Sequence, residues 1–173
     1  MAGLEFTRRY AMAHRLLADP ASKCAVPHGH NEIVTVRLDP HASFRFGGSN
    51  AEAPFDAVKG RWHAWIDGQV DHALQLGQDD PLIGYFKEHE PHRLARILTV
   101  AGDPTTEALA ACFFVKLSAF LKADELPFSV REVRVEETPT NAVVLTREDF
   151  DPEACGLPAN AWPTRADMSI NDF

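Results

Sequence analysis

The pattern of apolar and polar positions divides the chain into strands at its two ends and helices between them. Residues 4 to 14 read as a first strand and His30 to Leu38 as a second, where Ile33, Val34 and Val36 supply β-branched bulk. From Phe55 the apolar positions Phe55, Val58, Trp62, Trp65 and Ile66 recur at steps of three and four, the helical period, and predict a helix ending near Gly68. A second helix is predicted after Asp103 and Pro104: Asp is a good N-cap, Pro suits the first helical position, and Leu109, Phe113, Leu117, Phe120 and Leu121 line one face. Val133 and Val135 then alternate with Glu132, Arg134 and Glu136, and the turn-like TPTN and the run AVVLT complete an antiparallel hairpin. The order is strand, strand, helix, helix, strand, strand. Residues 41 to 53 read as a Gly and Ser loop, residues 79 to 95 leave room for an extra short helix, and the tail from Asp151 is Pro-punctuated and poorly patterned. There are no repeats and no low-complexity tract.

Composition narrows the class of protein. A chain of 173 residues, 45% apolar, fits one domain with a core of its own. The formal net charge of -8 argues against nonspecific binding to nucleic acid or an anionic membrane, so an anionic ligand would need a local basic pocket. The longest apolar stretch, Ala108 to Val115, stops at Lys116, short of the roughly 20 residues a membrane helix needs. The opening MAGLEFTRRY has no apolar run behind a basic start, so no secretory signal is expected. Cys24, Cys112 and Cys155 are an odd, sparse set, as expected of reduced thiols in a cytoplasmic protein.

Candidate chemistry gathers around three histidines. His28 and His30 are two apart in HGH, so on a strand both rings project from one face. His14 closes the preceding strand, and antiparallel pairing brings its ring to that face, giving three nitrogen donors and one position open for water or substrate. That is the donor set of a catalytic zinc site. A fourth ligand from Cys24 would instead close the site and make it structural. The plainer reading, that these are ordinary surface or core histidines, competes evenly for HGH alone, because two-His spacings are weak evidence.

Spacing beyond HGH shifts the balance. Cys24-x-x-x-His28-Gly29-His30, preceded ten residues earlier by AMAH ending in His14, resembles the 6-pyruvoyl and 6-carboxy tetrahydropterin synthases, whose members carry an AAH-like segment followed by C-x-x-x-H-G-H. Three further segments match that family in order: Asp71-His72 after the first helix, PTTE (Pro104 to Glu107) at the start of the second, and Glu137-Thr138 at the end of the first hairpin strand. Departures are Pro27 before HGH, ALQLG after Asp71-His72, Ala108 after PTTE, a longer 79–100 segment and a longer tail. They touch the substrate side chain, lid and assembly contacts more than the zinc site.

The resemblance implies the tunnelling fold: an α+β domain over residues 1–150 with a four-stranded antiparallel sheet and two helices on one face, followed by a C-terminal extension, 151–173. It implies ring closure of protomers into a barrel-like homotrimer or homohexamer, which would also protect the free edges of a small sheet, and active sites between protomers. Zn2+ would be held by His14, His28 and His30, with 7,8-dihydroneopterin triphosphate as substrate. The resemblance makes Cys24 the proton-abstracting base, His72 a proton shuttle held by Asp71, and Glu137 the pterin anchor, with Thr105 and Thr106 completing ring contacts. The plainer alternatives are a buried Cys24, a solvated Asp71-His72 pair, and Thr105 and Thr106 as helix caps. By alternation Glu137 shares the apolar face of Val133 and Val135 while Glu136 points away with Arg134. Arg9, Arg15 and Lys23 are the cations nearest the motif for a triphosphate; His41, His63, His89 and His92 read as non-ligands. The implied product is 6-carboxytetrahydropterin, on the route to 7-deazapurines such as queuosine. The rivals are 6-pyruvoyltetrahydropterin formation on the biopterin route, a noncatalytic zinc and pterin binding paralogue, and a zinc hydrolase unrelated to pterins.

Overall fold

Alternation sets the frame of the molecule. In the computed structural model, which describes residues 3–48 and 50–173, the long strands β1 (Leu4–His14) and β2 (His28–Pro40) pair antiparallel along their length. Phe6, Tyr10, Met12, Val34, Val36 and Leu38 are buried from one face of that pair, and the alternate positions point outward. β1 has the expected bounds, whereas β2 begins two residues earlier than the alternation suggests and carries His28 within the ladder. Gly29 sits where the strands come closest: a Cβ there would lie 2.6 Å from the Met12 carbonyl oxygen, so the residue between the two histidines has to be glycine for the ladder to close.

The helices cover the apolar face. Helix α1 (Phe55–Trp65) buries Val58, Trp62 and Trp65, and the chain continues through a wider π turn, Ile66–Val70, instead of an α-helix to Gly68. Helix α2 (Pro81–His89) fills the 79–95 segment, with Asp80 as its N-cap accepting from the Leu82 N–H. Helix α3 (Thr106–Ala123) is the long helix read from the sequence, but its cap is Thr105, not Asp103. Asp103 instead accepts the backbone N–H groups of Leu17 and Ala18, at 2.9 Å each. Trp62, Trp65, Phe113 and Phe120 pack ring against ring between the helices and above β1.

The expected sheet of four antiparallel strands is a sheet of six, in the order β4-β3-β1-β2-β5-β6. β5 (Phe128–Thr138) and β6 (Asn141–Thr146) form the anticipated hairpin on the β2 side. On the other side β3 (Ala73–Gly77) pairs parallel to β1, and β4 (Ile97–Val100) pairs parallel to β3, making the sheet mixed. The expectation of two helices is likewise corrected to three among the described residues.

Residues 151–173 contain a single 3₁₀ turn, Trp162–Thr164, yet bury Trp162 and Ile170 in the main core. Lys116, wholly buried on α3, donates to the carbonyl oxygens of Trp162 and Arg165 at 3.0 and 2.9 Å and to Asp167 at 3.3 Å. Burial lowers its ammonium pKa to about 8 against the pull of Asp167. The outer edge of β4 is also engaged by the tail, since the Thr99 N–H donates to the Ile170 carbonyl and Asn171 donates to that of Ile97. An edge that would otherwise invite pairing is thereby covered. No helix among the described residues is long and apolar enough to cross a membrane.

Candidate metal centre and adjoining cavity

Strand register assembles the histidines. His14 lies opposite His28, Met12 opposite His30 and Tyr10 opposite Glu32, and all of these side chains share the helix-facing side. The three rings converge with centroids 4.6, 5.2 and 5.1 Å apart, and one ligand nitrogen from each falls within 4.8 Å of the others. This group contains no thiolate: Cys24 stands outside it, half-buried in a 3₁₀ turn (Lys23–Ala25) whose cap, Ser22, accepts the Cys24 N–H.

Hydrogen bonds decide which nitrogens face inward. His14 Nδ1 is 2.9 Å from the Pro104 carbonyl and His28 Nδ1 is 2.9 Å from that of Val26. A carbonyl can only accept, so in the neutral rings both Nδ1 atoms carry the proton and both Nε2 atoms carry a lone pair. Those two Nε2 atoms lie 3.1 Å apart. Two lone pairs at that separation repel unless a cation stands between them, so the donor set fits a metal ion. Burial, aided by the neighbouring histidines, lowers the His14 pKa against the Pro104 carbonyl and Glu137, which keeps the ring neutral and able to coordinate.

A cavity of about 350 Å³ opens from His14 toward the hairpin, lined by Thr105, Thr106, Glu107, Glu137 and Asn141. Glu137 reaches it through an irregularity in the β5 ladder between Glu136 and Thr138, and its Oε1 accepts from Thr106 Oγ1 at 2.9 Å. Val133 and Val135 are fully buried on the same side, while Glu136 pairs with Arg134 at 2.8 Å on the other, which agrees with the alternation read from the sequence. Thr105 is a cap, its hydroxyl accepting from Ala108 N at 3.3 Å, and Thr106 holds Glu137. A larger cavity, about 540 Å³, lies at the opposite end against the loop around Phe44 and Phe55. It contains none of the histidines.

Asp71 and His72 are not brought to the histidines within one chain. His72 is 77% exposed and takes a φ of +63°, a left-handed conformation that favours glycine. The turn is clamped to the outer side of β1: the His72 N–H donates to the Ala11 carbonyl, and Asp71 accepts the Ala11 N–H at 2.7 Å. His72 Nδ1 lies 2.9 Å from Asp71. Burial opposes the Asp71 charge, but the Ala11 N–H, the His72 ring and Arg96 outweigh it and hold the carboxyl below its usual range. The cations suggested for a triphosphate are dispersed. Arg15 is held by both oxygens of Asp80, and Arg9 and Lys23 are exposed.

Two polar residues beside the histidines escaped the sequence reading. Glu32 is 1% exposed; its Oε2 accepts from the Tyr10 hydroxyl at 2.5 Å, and its Oε1 has no protein partner. Burial, reinforced by the charge of Glu137, pushes its carboxyl up to about 7 against the Tyr10 hydrogen bond. Gln75, opposite His14 on β3, is wholly buried with both amide atoms unpartnered. The signal was available for Glu32, because positions 28, 30, 32, 34 and 36 share one phase.

Comparison with known proteins agrees with this geometry. The family model described as 6-pyruvoyl tetrahydropterin synthase matches residues 3–148. The 6-carboxy-5,6,7,8-tetrahydropterin synthase of Rickettsia bellii is 27% identical over 139 residues, covering 79% of this chain and 95% of its own. That of Rickettsia typhi is 29% identical over 109 residues, 62% of this chain and 75% of its own. Among solved structures, an uncharacterised protein from Wolinella succinogenes superposes with a TM-score of 0.68 at 20% identity, over 84% of this chain and 98% of its own. The 6-pyruvoyl tetrahydropterin synthase of Caenorhabditis elegans gives 0.53 at 22% identity, over 84% and 94%. With its histidine cluster on β1 and β2 and a profile match over nearly all of the sheet and helices, the chain belongs to the 6-pyruvoyl tetrahydropterin synthase family.

Proposed function

We propose that the protein is a zinc-dependent enzyme converting 7,8-dihydroneopterin triphosphate to 6-carboxy-5,6,7,8-tetrahydropterin. The observation that carries this reading is the cavity joining His14 to Glu137, with a three-nitrogen donor set at one end and a carboxylate at the other. The names of the Rickettsia relatives support the product. Zinc held by His14, His28 and His30 would supply a Lewis acid for oxygens on the substrate's side chain. Cys24 removes the proton that starts the reaction, and Glu137 accepts two parallel hydrogen bonds from the ring N–H and exocyclic amine of the pterin. Incubation of the zinc-loaded protein with this substrate is expected to release inorganic triphosphate and acetaldehyde with the 6-carboxy product. A 6-pyruvoyl product without acetaldehyde would move the protein to the other branch of the family.

Glu137→Gln is expected to weaken pterin binding about thirtyfold or more, roughly 2 kcal/mol, with zinc content unchanged. The amide keeps the shape but turns one acceptor oxygen into a donor facing the ligand's own N–H groups. Glu136→Gln, which loses only its pairing with Arg134 on the other face, is the control and should bind normally. Calorimetry on both variants decides it, and reversed results would assign the anchor to Glu136.

The exposed Asp71-His72 pair takes part through assembly. A homotrimer, or a homohexamer built from two, lets the pair of one protomer complete the histidine site of its neighbour, with His72 shuttling a proton and Asp71 steadying the imidazolium. Sedimentation equilibrium should give a mass at a multiple of three protomers. A stable monomer with full activity would leave His72 without a role.

A further inference from the structure

Glu32 is a buried carboxylate with half of its hydrogen-bonding capacity unused. Its Oε2 is locked by Tyr10, while its Oε1 faces no donor. A buried acceptor without a partner costs about 1 to 3 kcal/mol, so a native site is expected to supply one. Glu137, its neighbour across β2 and β5, cannot do so as a carboxylate, since it too only accepts and already takes the Thr106 hydroxyl.

The histidines present a matching gap. His14 and His28 each direct the nitrogen away from the cluster to a backbone carbonyl, Pro104 and Val26. Metal-ligating histidines almost always donate their second ring N–H in this way, which fixes the ring and raises its basicity. The His30 ring makes no hydrogen bond among the described residues and meets the rings of His14 and His28 edge-on. It stands two positions before Glu32 on the same face of β2, in the row between the His14–His28 pair and the Tyr10–Glu32 pair. Two residues of strand span about 6.6 Å, a distance that an imidazole and a carboxylate leaning along the strand can bridge.

We infer that Glu32 is the positioning residue of the metal centre: its free oxygen accepts the outer ring N–H of His30 once a metal draws the three inner nitrogens together, and Tyr10 holds it in place. The inference rests on the metal reading above. It gives the site its third outer hydrogen bond, accepted by a side-chain carboxyl oxygen where the other two are accepted by backbone carbonyls.

The test uses the full chain and measures zinc and Co2+ affinity by chelator competition, with the cobalt ligand-field spectrum as a second readout. Glu32→Met is expected to weaken metal binding about 10- to 100-fold and to shift the cobalt spectrum. Glu32→Gln, which keeps an acceptor oxygen, should recover most of the loss, a rescue that a purely packing role does not predict. If Glu32→Met fails to fold, wild-type protein carrying ¹⁵N-histidine decides the matter. The His30 ring N–H should be protected from solvent exchange with zinc bound, and exchange as fast as that of exposed His89 would overturn the inference. Wild-type affinity and an unchanged cobalt spectrum in Glu32→Met would overturn it alone. A wild-type protein that takes up no metal would overturn the metal reading and this inference with it.

Discussion

His28→Ala is expected to lose bound zinc, with affinity falling about a thousandfold, because it removes one of three donors from a site that has no fourth protein ligand among the described residues. Zinc sites of small proteins bind with roughly 10 to 16 kcal/mol, so a third of that is about 4 kcal/mol, three decades in affinity. His14→Ala and His30→Ala should behave alike. The effect on the metal-free protein has the opposite sign. His14 Nε2 and His28 Nε2 face one another at 3.1 Å, and removing one ring relieves the repulsion of their lone pairs. The His28→Ala protein should therefore unfold in urea at a denaturant concentration no lower than wild type when both are stripped by a chelator. With zinc present, wild type alone should gain stability, since a ligand that binds only the folded state stabilises it by mass action. A His28→Ala protein that keeps a full equivalent of zinc at unchanged affinity would remove that histidine from the site.

Some of this molecule could be read from the sequence because its strands are long and one-sided. β1, β2 and β5 each run 11 to 13 residues with one face buried, so alternation over many positions fixed their phase and placed His28, His30 and Glu137 on the helix side. β3 and β4 were illegible for the converse reason. ALQLG and ILTV are five and four residues long and buried on both faces, or nearly so, which erases the alternation a strand is recognised by. The parallel pairing that extends the sheet beyond β1 therefore left no mark that periodicity detects. α3 shows the limit for helices. Its apolar stripe is plain, but Lys116 sits inside it, and it takes the tail's carbonyl oxygens together with Asp167 to explain a buried ammonium there.

The site was legible by residue type more than by environment. Three histidines at the right offsets suggested a metal, and the fold brings them together. Glu32 follows HGH at the same phase, yet a glutamate in a strand ordinarily reads as an outward position. Its burial depends on Tyr10 across the ladder, a contact that joins residues 22 apart in the chain. Asp71-His72 illustrates the reverse case, a motif whose residues are present but which the single chain holds on the outer side of β1, away from the cluster it was expected to serve.

Cys24→Ala is expected to leave zinc content and folding intact while lowering turnover about 10²- to 10⁴-fold, the contribution of a positioned general base. The thiol stands outside the three-nitrogen group, so its loss removes no metal ligand. What fixes its position is backbone: the Cys24 N–H donates to Ser22 Oγ at 3.1 Å, and its carbonyl accepts the Leu16 N–H at 2.8 Å. Alanine keeps both bonds and removes one half-buried sulfur, a change of about 1 kcal/mol at most in stability. Zinc content, melting temperature and kcat for proton release measured on one zinc-loaded preparation separate the possibilities. Loss of zinc in Cys24→Ala would make the cysteine a fourth ligand and the centre structural. Full turnover with zinc retained would hand the proton to another group, of which His72 from a neighbouring protomer is the first to test by His72→Ala.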